Sequence, residues 1–448
     1  MGSISREERS NRMAEKNTAA PQLDRRHWTL AVAAGMASFL DAGAIISVGL
    51  GLALWKEDFG LDVWTVGLLG STLTLFIAVG ALTGGRLADL LGRGRVFSLT
   101  ILVYAAAALA VALAPGAGVL VAGVIVIGIA AGADLPTSIA VLSERAPAGA
   151  QGRLVAFTHV MWTAGVVFVT SLGFAVSALG TLGVRLIFVT LAILAVATFA
   201  FRAFYPPFAE LETEADARHS AEGVDTSHAL PLRTLFRDRS LAVMMSLTAL
   251  FYLFFTLVAN TFGSFKTYFL VTVGDASQTF ATALSFITTL VGLAGTIVFT
   301  RIADTKWRSR FFAAGVVVFA SCQLLIAVTG GVVLPAMIVA LVLYNIGFPF
   351  VGEALYKIWT QESFPVNARA TVQGATMAVA RFAASGFALV TPALIDWSPS
   401  GLYILLTIFA LISGLIGMVL IRRVRKEAVG TAAAASLAST TVAVGGTR

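Results

Sequence analysis

A charged block copied between apolar runs constrains this chain more than any other feature. Residues 84–97 read G-G-R-L-A-D-L-L-G-R-G-R-V-F between two long hydrophobic stretches, and residues 301–312 read R-I-A-D-T-K-W-R-S-R-F-F between two more. Arg86, Ala88, Asp89, Arg93, Arg95 and Phe97 each recur as the same residue 215 positions on. Glu144 and Pro147 recur 218 positions on as Glu362 and Pro365. Agreement at two separate places implies an internal duplication, so the chain consists of two similar halves.

What the halves are follows from how little charge they carry. Only 12% of residues are charged, 58% are hydrophobic and the mean hydropathy is +0.87, a surface that water would not tolerate on a globular domain. Apolar runs of about 20 residues, enough to cross roughly 30 Å of hydrocarbon, fall at 29–55, 63–85, 96–114, 117–143, 154–179, 182–201, 241–265, 277–300, 311–329, 332–361, 370–395 and 398–421. The expected fold is an all-α membrane protein with twelve transmembrane helices in two pseudo-symmetric six-helix bundles. Residues 1–28 form an N-terminal tail, 29–204 the first bundle, 205–240 a linker, 241–422 the second bundle and 423–448 a disordered tail.

Basic residues orient the chain. One set of loops holds only Lys56, Arg185 and Lys266, and Lys357 and Arg381 lie within helices; the other lysines and arginines fall in the tails and the alternate loops. By the positive-inside rule both termini are expected in the cytoplasm of a cell-membrane protein. Basic residues at helix ends on one side favour anionic lipid as partner and argue against nucleic acid. The single cysteine, Cys322, excludes an intrachain disulfide or a thiolate metal site, and no removed signal peptide is expected from the polar start. Phosphate loop, metal cluster and nucleophile elbow are all missing from the sequence, so neither an enzyme nor a cofactor is expected.

The informative residues are the charges inside the runs. A rise of about 1.5 Å per residue places Asp41, Asp134, Glu353 and Arg381 each roughly 14–20 Å from the terminal-side end of its helix, near the middle of the membrane. An ionised group there costs at least about 2.5–3.5 kcal/mol, so four at one level imply a shared polar cavity. Asp41 and Asp134 are the candidate proton-coupling groups, with packing carboxylates held neutral as the alternative. Pro136, two residues past Asp134, is expected to open its helix locally. Glu353 and Lys357 are four apart on one face, placed either to bind substrate or to neutralise each other. Arg381 serves substrate or pairs with a carboxylate. His159, Trp162, Asn260, Gln323 and Asn345 are further candidate cavity residues, each also readable as packing.

G-x-L-A-D-x-x-G-R-x-R at residues 85–95, partly repeated at residues 300–310, resembles the signature of the major facilitator superfamily. The resemblance implies two bundles around a central cavity and alternating access. It also implies that loop Asp and Arg residues contact helix ends of the other half and hold one side closed. Those gating roles would fall on Asp89, Arg93, Glu144 and Arg153 in the first half and on Asp304, Arg308, Glu362 and Arg369 in the second. E-S-F-P-V-N-A-R resembles a sugar-porter motif, although Gln151 stands where the first half should repeat its arginine and the seventh helix has no Q-Q-x-x-G-x-N. F-L-D-A-G-A-I-I-S, G-A-D-L-P and Y-K-I-W-T-Q-E-S-F-P look more like bacterial metabolite:proton symporters, including the inositol branch. The expected function is proton-coupled import of a polyol such as inositol, or of a sugar, by a monomer. A carrier of a small organic acid is the alternative, and a drug:proton antiporter or a non-transporting sensor is less favoured.

Overall fold

The computed structural model describes residues 23–445 except 92, 148–150, 209, 212, 215–235, 303–304, 306, 331–332 and 365. Residues 85–91, 93, 140, 143–144, 151–153, 155–156, 300, 361, 366–371 and 424–445 are described by backbone alone. Among the described residues the regular structure is helical. The first half contains α1 (Arg25–Asp58), α2 (Val63–Leu91), α3 (Arg93–Ala112), α4 (Ala117–Arg145), α5 (Gln151–Ala175) and α6 (Thr181–Phe204), with a 3-10 turn at Ser177–Leu179. The second contains α7 (Arg239–Thr272), α8 (Gln278–Ile302), α9 (Arg308–Val328), α10 (Leu334–Val351), α11 (Glu353–Ser363), α12 (Val366–Trp397) and α13 (Pro399–Gly445). Counting α10 and α11 as one path, twelve segments are long and apolar enough to cross a membrane. An even number of crossings puts the two ends of the chain on one face, called here the terminal face.

Local chemistry sets the helix ends. Asp24 caps α1 by accepting a hydrogen bond from the His27 amide at 3.1 Å. Slight burial opposes ionisation of Asp24, but the Arg26 side chain and that amide outweigh it and hold the carboxyl at about 2. The cap is therefore charged throughout the physiological range. Asp238 caps α7 in the same way, accepting from the amides of Ser240 and Leu241.

Three elements differ from the sequence expectation. The run at 332–361 is two helices, because Pro349 removes a donor and Gly352 leaves the helical region at φ −97°, ψ −155°. Conversely, α4 runs unbroken through Pro136. It packs closely on α2 one turn before the proline: a Cβ on Gly132 would lie 2.1 Å from the Ile77 carbonyl. The tail expected to be disordered continues α13 to Gly445, in keeping with the high helix propensity of its alanines. Beyond α6, Phe208 and Leu211 turn back and bury against Leu30, Val141 and Leu154. Arg26 meets Glu210 and Glu214 there, at 3.4 and 3.1 Å.

The halves meet through α1 on α7, α2 on α12 and α5 on α8. Among the described residues, four side-chain hydrogen bonds cross between them, from mid-helix to the face opposite the termini. They run from Gln278 to the Leu50 carbonyl at 2.9 Å, Ser385 to the Ser71 carbonyl at 3.0 Å, Lys56 to Tyr268 at 3.3 Å and Thr74 to Asn260 at 3.3 Å. Gly67 lets the backbones touch in the same region, since a Cβ there would lie 2.0 Å from the Leu389 carbonyl. The seam is therefore closed on the face away from the termini.

Gly132 and Gly67 separate a fixed contact from a parting one. Gly132→Ala is expected to cost about 1–3 kcal/mol in detergent unfolding, as overpacking inside one half does. Gly67→Ala is expected to widen the distance between spin labels placed on α2 and α12 at that face. An unaltered distance distribution would count against a seam that opens.

Candidate functional site

Asp41 stands halfway along α1, between Arg25 and Asp58. It is 1% exposed, and its Oδ1 has no hydrogen-bond partner among the described residues. Across the seam, Arg381 stands halfway along α12, with its Nη2 4.0 Å from Asp41 Oδ2. That separation is an ion pair and too long for a hydrogen bond. Trp162 of α5 also approaches the Asp41 carboxyl, and its indole stacks on His159 one turn earlier at 5.9 Å.

The break at Gly352 starts α11 at the same level. Glu353 is its first residue, and Lys357 one turn on places Nζ 2.7 Å from Glu353 Oε1. Glu353 lies within electrostatic reach of Arg381, His159 and Asp41, which joins α1, α5, α11 and α12 into one cluster. These side chains face one another across the seam yet keep 23–34% exposure at Arg381, Glu353 and Lys357. Beside Glu353, Tyr252 of α7 and Tyr356 of α11 are buried and stack on each other at 4.1 Å, and Tyr356 donates to the Gln373 carbonyl at 3.0 Å. The sequence reading missed both tyrosines, whose signal was the spacing of Tyr356 within one turn of Glu353.

The expectation that Asp134 shares this cavity is corrected. Asp134 Oδ1 is 2.7 Å from Arg202 Nη1, with the arginine side chain fully buried, and also accepts from Thr100 at 3.2 Å and Ser138 at 3.1 Å. Arg202 reaches the carbonyls of Ala33 and Phe97 and the Ser138 hydroxyl, and lies over the Phe97 ring at 3.9 Å. The pair binds α1, α3, α4 and α6 inside one half. Arg202 is thus no loop residue: at the end of α6 its long side chain points inward.

The remaining candidates divide. Asn260 bridges the halves through Thr74. Gln323 is corrected, being fully buried on α9, a helix that packs on α10 and α13 of its own half, with its amide toward Cys322. Asn345 spends its amide on the Leu341 carbonyl at 2.9 Å and packs against Gly292 of α8, so it is not brought to the cluster. Arg308 grips Glu362 through two bonds of 2.8 and 3.1 Å, and this corrects the expected contact with the other half because both belong to the second. Asp304 lies outside the described residues, and Asp89, Arg93, Glu144, Arg153 and Arg369 are described by backbone alone.

Two helical halves around an ionised midplane cluster, sealed on one face, define a multi-pass membrane carrier. The chain belongs to the Major Facilitator Superfamily, whose sequence profile matches residues 30–389. It is 32% identical over 376 residues to the minor myo-inositol transporter IolF of Bacillus subtilis, covering 81% of this chain and 83% of that one. A shorter match, 31% identical, links it to the niacin transporter NiaP of Acinetobacter baylyi over 31% of this chain and 32% of the other. Its fold is that of a D-xylose–proton symporter of known structure, with a TM-score of 0.71 at 17% identity over 87% of this chain and 96% of that one. The protein is a transporter and not an enzyme.

Breaking the Asp134–Arg202 pair from one side leaves an uncompensated buried charge, so Asp134→Ala is expected to cost about 3–5 kcal/mol in thermal unfolding. Combining Asp134→Leu with Arg202→Met should recover most of that loss. A single variant as stable as the parent would remove the pair from its structural role.

Proposed function

We propose that the protein is a proton-coupled symporter that imports a small polyhydroxylated metabolite, a polyol such as inositol or a sugar, across the cell membrane by alternating access. The terminal face is then cytoplasmic, in keeping with the basic residues of its loops. The likeness to a myo-inositol transporter over four-fifths of the chain supports the substrate class.

One observation carries the coupling: Asp41 is a sealed midplane carboxylate with a free oxygen, and its partner Arg381 belongs to the other half. Ionised, Asp41 attracts Arg381 across the seam; protonated, it does not. A proton arriving at Asp41 therefore alters both the attraction between halves and the availability of the guanidinium. Transport cycles when solute and proton together permit a rearrangement that neither permits alone. Glu353 and Lys357 neutralise each other and are left to hydrogen-bond solute hydroxyls.

Proteoliposomes decide the matter. With an inward proton gradient the parent should accumulate myo-inositol or a sugar, while Asp41→Asn should lose at least about tenfold in gradient-driven accumulation, the scale on which a lost charge–charge contact acts, and still exchange solute in counterflow. Undiminished gradient-driven uptake by Asp41→Asn would remove the proton role from that residue.

A further inference from the structure

The two buried arginines differ in one respect that bears on what the cavity holds. A guanidinium carries five N–H donors in a fixed fork. Arg202 directs contacts to Asp134, Ser138 and the carbonyls of Ala33 and Phe97, five in all, and none of its side chain is exposed. Arg381 makes no side-chain hydrogen bond to any described residue. Its nearest carboxylate is 4.0 Å away, and its side chain is 23% exposed toward the seam.

Leaving such donors unmade at mid-membrane costs free energy unless water or a ligand takes them. Lys357 is no equivalent vacancy, because Glu353 holds it at 2.7 Å. The charges of the cluster then sum simply. Asp41 and Glu353 offset Arg381 and Lys357, so protonating Asp41 leaves one net positive charge, at Arg381. A neutral polyol supplies hydroxyl acceptors but leaves that charge uncompensated. A carboxylate supplies two coplanar oxygens matched to the fork and cancels the charge.

We infer that the transported solute is a monocarboxylate on a sugar-like skeleton, a polyhydroxy acid of the uronate or aldonate kind, whose carboxylate is received by Arg381. This rests on the reading of the cavity as the binding place of a sugar-like solute, and narrows it. The hydroxylated part faces Glu353 and Lys357, whose side chains keep 28% and 34% exposure. Co-transport of one proton with one such anion is electroneutral. Arg381 is thus the specificity-determining residue, and Asp41 alternates with the solute carboxylate as its counter-ion.

D-glucuronate and D-glucose, which share a ring and differ in a carboxylate against a hydroxymethyl group, isolate the question, with myo-inositol as the neutral polyol. Counterflow in proteoliposomes and thermal shift of the full chain in detergent give apparent affinities. In the parent, glucuronate should be preferred over glucose by at least about tenfold, the scale of a charge-assisted hydrogen bond. Arg381→Gln should bring that ratio close to one, and Arg381→Lys should keep part of it. Electroneutral coupling adds that glucuronate uptake should generate no membrane potential. A parent ratio below about twofold, or an unaltered ratio in Arg381→Gln, overturns the inference. Should Arg381→Gln not be recovered as a monodisperse protein, the parent ratio alone decides. If glucose and myo-inositol exchange and glucuronate does not, the sugar-like reading stands and this inference falls; if none of the three exchanges, both fall.

Discussion

Hydrocarbon does not solvate ions, and the interior of this protein is arranged by the two ways of meeting that constraint. One is to surround an ion with fixed partners, as Arg202 is surrounded in the first half. The other is to leave an ion with donors that no described side chain takes, as with Arg381 facing Asp41 across the seam. The first way makes a rigid half, because every donor would be stranded if the surrounding helices moved apart. The second makes a place whose energy depends on what occupies it. A carrier needs both, and here they are separated: the saturated pair lies within one bundle and the unsaturated pair lies between bundles.

Backbone contacts follow the same division. Gly132 brings α4 against α2 inside a half, and Gly67 brings α2 against α12 across the seam. Glycine at both removes the side chain that would keep the helices apart, so carbonyl and Cα meet directly. Between the halves, the hydrogen bonds from Ser385 and Gln278 end on backbone carbonyls of the facing helices. A hydroxyl or amide that leaves such a carbonyl finds water readily when the seam opens to an aqueous side. Ties of this kind close a face without fixing it.

The membrane class, the duplication and the twelve crossings were legible in the sequence, because hydropathy and self-similarity are one-dimensional properties. Depth was legible too, since helix rise converts sequence distance into height. That is why Asp41, Glu353 and Arg381 were placed at one level and the structure brings them together. Rotation about each helix axis was not legible. Asp134 faces Arg202 inside one half, and Gln323 is polar amid an apolar run but belongs to a helix packed chiefly on α10 and α13 of its own half. Arg202 looked like a loop residue because it falls one position beyond the apolar run, and only the packing of α6 on α3 and α1 shows its side chain turned inward. The division of the tenth run was written in Pro349 and Gly352, yet a proline alone does not decide: α4 carries Pro136 without a break.

The duplication also shows where the halves have parted company. Both keep the charged loop block, which in the second half still joins Arg308 to Glu362. Their midplane ions are placed differently: the first half locks Asp134 away with Arg202, and the second brings Glu353 to the seam by breaking a helix. A continuous helix there would have directed its backbone donors along its own axis. Interrupting it at Gly352 instead puts the start of α11, with its favourable potential for a carboxylate, at the level of Glu353. Glu353 is therefore held by its own helix as well as by Lys357, and neither of those contacts needs the other half. Arg381 has no such support. Its counter-charge comes from α1 across the seam, which makes it the ion of the cluster whose energy changes most when the halves move.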